Sequence, residues 1–327
     1  MNYIDFTDEK HDRQVLLPSP EKFAPLYDFY KQQEKQIWSV HELDFSKDIQ
    51  DWRTSSVLTD EVKQFILHVI GFFAVSDQLV ITNLIDSFIG EVRVPECKAF
   101  FAVQAFIEVV HSETYAIMLN TFSEDGSREE IVASPSIQGK AKWAQKYMNN
   151  DMPFNVRLWA FCVFEGVLFQ ASFASMFWLK KKNVCPGITS SNDLISKDER
   201  LHALFGAAML NMAEPLALET LNEVLTEAVR CEEEFVREAL PNNLMGMNQE
   251  LLIQYVHFSA DRILNEIDHS DKGKPEPLYN AANPFTWMQN SDLDGKTNFF
   301  ERRVTDYERD HSASVASGDA LDLVEDF

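Results

Sequence analysis

Two stretches of this chain are apolar on almost every side of a helix, and each is interrupted by a single acid. Residues 65–85 read FILHVIGFFAVSDQLVITNLI and residues 161–179 read FCVFEGVLFQASFASMFWL, with Asp77 and Glu165 as the lone acids. Each is long enough to cross a bilayer. A mid-span acid costs about 2.5–3.5 kcal/mol on insertion scales, and both stretches also carry Ser, Asn or Gln. A helix apolar all round can equally be the centre of a large helical bundle. The bundle is the better expectation, because the rest of the chain gives both acids a purpose.

The remainder also reads as helix. Only 11 Gly and 12 Pro occur in 327 residues, and strand-like alternation is scarce. Apolar spacing predicts helices over about 20–35, 60–90, 97–121, 137–148, 153–183, 192–212, 215–239 and 248–267. Turn signals stand at Val94-Pro95, Asp125-Gly126, Cys185-Pro186-Gly187 and Pro241-Asn242-Asn243. Thr59-Asp60-Glu61 has the form of a helix start. The expected fold is an all-α bundle. Residues 1–290 form its helical domain with an N-terminal arm, and 291–327 form a flexible tail, polar and small from about Asp310.

Charge and cysteine usage narrow the function. There are 52 acidic and 29 basic residues, a formal charge of −23. That disfavours a broad nucleic-acid or anionic-membrane surface, since both partners are polyanions. Cys97, Cys162, Cys185 and Cys231 form no CxxC pair, which argues against a zinc ribbon or a thioredoxin-like motif. Cys162 reads as a buried thiol. The N-terminus, MNYIDFTDEKHDRQ, has no apolar signal region, so the cytoplasm is the expected setting.

The chemistry lies in two ExxH pairs, Glu108–His111 and Glu199–His202. Three residues apart on a helix, a Glu oxygen and a His nitrogen can bind one ion. Bundles holding two irons or manganeses use the pattern twice and add one carboxylate from each of two further helices. The spacing alone is weak. Glu266–His269 and Glu308–His311 match it too, in polar text that reads as solvated surface. Glu108 and His111 differ because FFAVQAFIEVVHSETYAIML would bury them, and an unpaired buried charge is costly. Asp77 precedes Glu108 by 31 residues and Glu165 precedes Glu199 by 34. Each half therefore reads as an apolar helix with one acid followed by an ExxH helix, as a pseudo-two-fold site would leave. The expected ligands are Asp77, Glu108, His111, Glu165, Glu199 and His202, a set suited to iron or manganese. Tyr115, seven residues after Glu108, returns to within about 20° of its face. Beside an oxygen-activating metal pair its phenol can lose an electron. Phe169 and Phe173 follow Glu165 on its own face and could sleeve such a radical.

The string Asp77, Glu108-x-x-His111-x-x-x-Tyr115, Glu165, Glu199-x-x-His202 resembles the small subunits of class I ribonucleotide reductases, nearest the eukaryotic and viral branch. GFFAVSD, SFASMFWLKK, PGITSSNDLISKDE and TNFFERRV support the likeness, which runs from about Trp38 to Phe327. The resemblance implies a ferritin-like homodimer with a di-iron site, manganese being the other candidate, that reacts with O2 to leave a radical on Tyr115. It implies that a large subunit uses this oxidising equivalent to reduce ribonucleotides. Trp38 matches the family's relay tryptophan and Asp198 the acid joining it to the metal-bound histidine, here His111. Tyr307 matches the tail tyrosine that passes the radical on. Phe169, Phe173 and Ile195 match the pocket around the radical. From the residues alone, Trp38 reads as a packing aromatic. One departure is Arg200, where the family usually has Gly or Ala; its position points away from the ligand stripe.

The last eight residues, ALDLVEDF, keep Leu321, Leu323, Val324 and Phe327 among acids. Disordered tails normally drop apolar residues, so these four read as anchors for a partner groove, which the resemblance identifies as the large subunit's. An iron-storage bundle, a di-iron substrate oxidase or desaturase, and an inactive partner-stabilising paralogue share parts of the pattern. Asp at the first ligand and Tyr four residues after His111 favour the reductase.

Overall fold

The computed structural model describes residues 3–124, 127–240, 248–268 and 274–288. The chain divides into two units, Met1–Thr286 and Trp287–Phe327, and the helices and the site lie in the first. Among the described residues there is no strand. The order is α1 (Ala24–Lys35), α2 (Ser46–Thr54), then α3 (Asp60–Asn83), which runs through a π turn at Leu84–Phe88 into α4 (Ile89–Glu91). α5 (Pro95–Phe122), α6 (Ser127–Val132) and α7 (Pro135–Tyr147) follow. α8 (Phe154–Val163) passes through a second π turn, Phe164–Leu168, into α9 (Gln170–Lys181). α10 (Pro186–Met212), α11 (Leu218–Ala239) and α12 (Gln249–Asn265) complete the bundle.

Helix starts follow local chemistry. Thr59 caps α3 by accepting from the Val62 N–H, and Asn248 caps α12 by accepting from the Leu251 N–H. Pro opens α5, α7 and α10, where its missing N–H costs nothing. α10 begins at Pro186 rather than near 192, and α2 is the reason. Asp48 of α2 accepts from the Gly187 and Ile188 N–H groups at 2.8 and 2.7 Å, and Asp51 accepts from the Cys185 N–H at 3.0 Å. Gly187 is required there, since a Cβ would sit 2.5 Å from the Asp44 carbonyl oxygen. The turn signals at Asp125-Gly126 and Pro241-Asn242-Asn243 lie outside the described residues.

Four helical rods frame the centre: α3 against α5, and the α8–α9 rod against α10. Phe73 stacks on Tyr115 and Gln78 donates to Ser112, so α3 and α5 run antiparallel. Every residue from 157 to 179 is buried, so the core accounts for the membrane-like composition of the α8–α9 rod. Fully burying a Phe or Leu side chain contributes about 1.5–3 kcal/mol, and this rod supplies eight of them. Gly206 lets α10 approach α8 closely, because a Cβ would stand 2.4 Å from Cys162 Sγ. Cys162 is a buried free thiol, as its apolar surroundings suggest.

Candidate metal centre

Each of the four rods brings a ligand-type side chain to one place in the core. α5 carries Glu108, His111 and Tyr115, α10 carries Glu199 and His202, and α3 carries Asp77. Glu165 lies inside the π turn Phe164–Leu168, a distortion frequent at functional sites. All six acids and imidazoles are exposed by 1% or less.

Glu108 and Glu199 stand between the two imidazoles. His111 Nδ1 lies 3.0 Å from Glu199 Oε1 and 3.3 Å from Glu108 Oε2. His202 Nδ1 lies 3.1 Å from Glu108 Oε1 and 3.2 Å from Glu199 Oε2. Each Nδ1 therefore faces one oxygen of each of the same two carboxylates, an arrangement that can bridge two ions. Glu165 joins on the His202 side, 4.0 Å from its Nδ1. Ligand atoms of Glu108, Glu165, Glu199 and His202 lie within 4.8 Å of one another. Asp77 is buried with Glu108, His111 and Glu199 as electrostatic neighbours.

The donor set fits cations. Asp77 Oδ1 and Oδ2 and Glu165 Oε2 have no hydrogen bond, whereas buried polar atoms nearly always have one, and Glu108 Oε2, Glu199 Oε1 and His111 Nδ1 face one another. Burial and the neighbouring carboxylates push the Asp77 and Glu165 carboxyls well up. Burial opposes charge on the imidazoles, but their acidic neighbours outweigh it. His111 is raised by Asp198, Glu108 and Glu199, and His202 is pushed up to about 9 by Glu108 and Glu199. Burial also opposes a charged Glu199, yet hydrogen bonds with Glu165, His111 and His202 hold its carboxyl below the usual range. Four acids here draw in positive charge. Two divalent cations with neutral imidazoles would balance them, and oxygen-rich donors with imidazole suit iron or manganese.

The far side of His111 is also fixed. Its Nε2 lies 3.1 Å from Asp198 Oδ2, the same oxygen that accepts from Trp38 Nε1 at 2.9 Å. Gln33 of α1 donates to Asp198 Oδ1 at 3.0 Å. The Trp38 indole stacks on His111 with centroids 5.8 Å apart. Trp38 is thus hydrogen-bonded as well as packed. Tyr115 is buried, and its hydroxyl has no hydrogen-bond partner. Burial, then Asp77, Glu199 and Glu108, push its phenol well up, so it stays protonated. Phe73 stacks on the Tyr115 ring at 4.6 Å and itself meets Phe173 at 5.0 Å and Phe169 at 5.6 Å. Ile195 is buried one turn before Glu199. Arg200 is half-buried while Glu199 and His202 are fully buried, so the ligand stripe of α10 is intact. Tyr307, Leu321, Leu323, Val324 and Phe327 lie outside the described residues, as do His269, Glu308 and His311.

Three residues of the site escaped the sequence reading. Gln104 Nε2 reaches Glu108 Oε1 at 3.4 Å and Glu165 Oε1 at 3.5 Å. Phe73 caps the Tyr115 ring, and Gln33 completes the partners of Asp198.

The profile of the family "Ribonucleotide reductase, small chain" matches residues 19–284. The chain belongs to the ribonucleotide reductase small-chain family. It is 41% identical over 308 residues to the ribonucleoside-diphosphate reductase small chain of Vaccinia virus (strain Ankara), covering 90% of this chain and 94% of that one. It is 42% identical over 304 residues to a ribonucleoside-diphosphate reductase small chain of Arabidopsis thaliana, covering 91% and 86%. These relatives agree with the eukaryotic and viral branch. The Rnr4 homodimer of Saccharomyces cerevisiae superposes with a TM-score of 0.75 at 29% identity, over 87% of this chain and 89% of that one. The dimanganese(II)-NrdF of Streptococcus sanguinis shares the fold, with a TM-score of 0.71 at 19% identity, over 81% and 94%. As a ribonucleotide reductase small chain, the protein is part of an oxidoreductase. Its bundle is the ferritin-like fold with a di-metal carboxylate site, and the storage and substrate-oxidase alternatives fall away.

Proposed function

We propose that Asp77, Glu108, His111, Glu165, Glu199 and His202 hold two iron ions per chain, with manganese as the substitute. Tyr115 then stores the oxidising equivalent that a large subunit uses to reduce ribonucleoside diphosphates. The observation that carries this is the convergence of six buried ligand-type side chains, with Tyr115 buried on the same helix as Glu108 and His111 and the Trp38–Asp198 pair bonded to His111. When bound, the metal pair supplies the power to reduce O2 and to take an electron from a nearby phenol. Oxidation at Tyr115 removes one electron and the Oη proton, and Phe73, Phe169, Phe173 and Ile195 keep water and reductants from the ring. Asp198 holds His111 Nε2 and Trp38 Nε1 on one oxygen, so electron and proton movements along that path stay coupled.

The route continues through Tyr307 to the large subunit, which Leu321, Leu323, Val324 and Phe327 anchor, with residues 291–327 as the docking tail after a helical domain of 1–290. A second copy of the chain fits the α3–α5 side, where Phe106 and Val109, with Ile85 just beyond α3, are about half exposed at 53%, 50% and 55%. All four cysteines are free, which suits the reducing cytoplasm. The test is metal analysis after ferrous loading. Two ions per chain are expected, and Glu165→Ala should lower that content; full content in the variant contradicts the ligand set.

A further inference from the structure

The rod formed by α8 and α9 contains a break, and side chains from distant elements hold it. Lys140 of α7 donates from Nζ to the carbonyl of Leu168, the last residue of the π turn, at 2.9 Å. Glu232 of α11 accepts at Oε1 from the Ala171 N–H, in the first turn of α9, at 3.3 Å. Lys140 and Glu232 form an ion pair. The ammonium also lies over the rings of Phe72 and Phe235, at 3.3 and 3.7 Å from their centroids. Both charged residues are essentially fully buried. Gln170 adds a weaker contact, donating to the Glu165 carbonyl at 3.5 Å while its own Oε1 accepts from Arg262 at 3.1 Å.

A π turn shifts the helical hydrogen-bonding frame, so backbone groups at its exit need partners from elsewhere. Stability alone does not explain an ion pair in that role, because a well-packed apolar pair serves a core as well or better. Apolar residues cannot offer a donor to a carbonyl and an acceptor to an N–H. Lys140 and Glu232 offer both, three and six residues beyond Glu165. Their polarity also matches the helix ends, cation on the carbonyl side and anion on the N–H side. Phe169 lies between the two held positions and packs 5.6 Å from Phe73, whose ring stacks on Tyr115. The break therefore places Glu165 and one wall of the tyrosine pocket together.

We propose that Lys140 and Glu232 are positioning residues whose ion pair holds the π turn in the frame that aims Glu165 at Glu108, Glu199 and His202, and so sets metal affinity. The proposal rests on Glu165 being a ligand. The test uses the full chain with manganous ion as the probe, reading its binding isotherm and its electron paramagnetic resonance spectrum. Removing one charge alone strands the other in the core, so the decisive variant is Lys140→Met combined with Glu232→Met. It should keep its helical circular dichroism, bind manganous ion roughly 10-fold more weakly, as outer partners of ligands typically do when lost, and show an altered spectrum. Glu232→Asp keeps both charges but withdraws the carboxylate from the Ala171 N–H. It should weaken binding in the same direction by less, and it decides alone if the double variant does not fold. A purely structural pair would lower the melting temperature and leave binding per folded chain and the spectrum unchanged, which overturns the proposal. Glu165→Ala separates the two readings. If it binds like the parent chain, the ligand assignment fails and the proposal with it; if it loses binding while the paired variants do not, only the positioning role fails.

Discussion

His111 is held at both nitrogens, Nδ1 by Glu108 and Glu199 and Nε2 by Asp198, and that double hold joins the metal centre to Trp38. Asp198→Asn and Trp38→Phe should therefore keep a radical at Tyr115 and abolish turnover with the large subunit. A parent-like rate in both variants, measured beside the resonance signal, contradicts the relay. Asp77, Glu108, His111 and Glu165 stood out as candidate ligands because each sits in text too apolar to bury an uncompensated charge, whereas Glu199 and His202, in the charged stretch SKDERLHALF, stood out only through the repeated spacing from the acid helix. Gln104 and Phe73 left a usable trace, each standing four residues before a candidate ligand on its own face, Glu108 and Asp77. Gln33 left none. It meets Asp198 across 165 positions of sequence, and no local pattern encodes that distance. Trp38 meets the same acid across 160 positions, which is why the residues alone gave it a packing role and only the family resemblance named it.

At the scale of elements, long helices were readable and their junctions were not. PGITSS looks like a continued turn after Cys185, yet it is the first turn and a half of α10, because Asp48 and Asp51 of α2 satisfy its N–H groups. α2 itself is short and charged, with no apolar stripe to announce it. Asp48→Ala strands two buried N–H donors and should cost about 1–3 kcal/mol in a urea melt, with metal content per folded chain unchanged. A loss within experimental error would show that the cap is dispensable. The π turn at Phe164–Leu168 was invisible for a different reason. Every residue from 157 to 179 is buried, so a shift in helical frame leaves no change in the apolar pattern.

At the scale of the whole molecule, a radical made in one chain and used in another would let docking and chemistry separate. Deleting residues 320–327 should abolish turnover while metals and the Tyr115 radical persist, and a free peptide of that sequence should inhibit the intact pair by competition. Normal turnover by the truncated chain would place docking elsewhere. The central claim is that a two-metal centre oxidises Tyr115, and electron paramagnetic resonance after reconstitution with ferrous iron and oxygen tests it most directly. The parent chain should give a tyrosyl signal, and Tyr115→Phe should keep its metals and give none. No signal from a fully loaded parent chain, or an undiminished tyrosyl signal in Tyr115→Phe, would contradict the account.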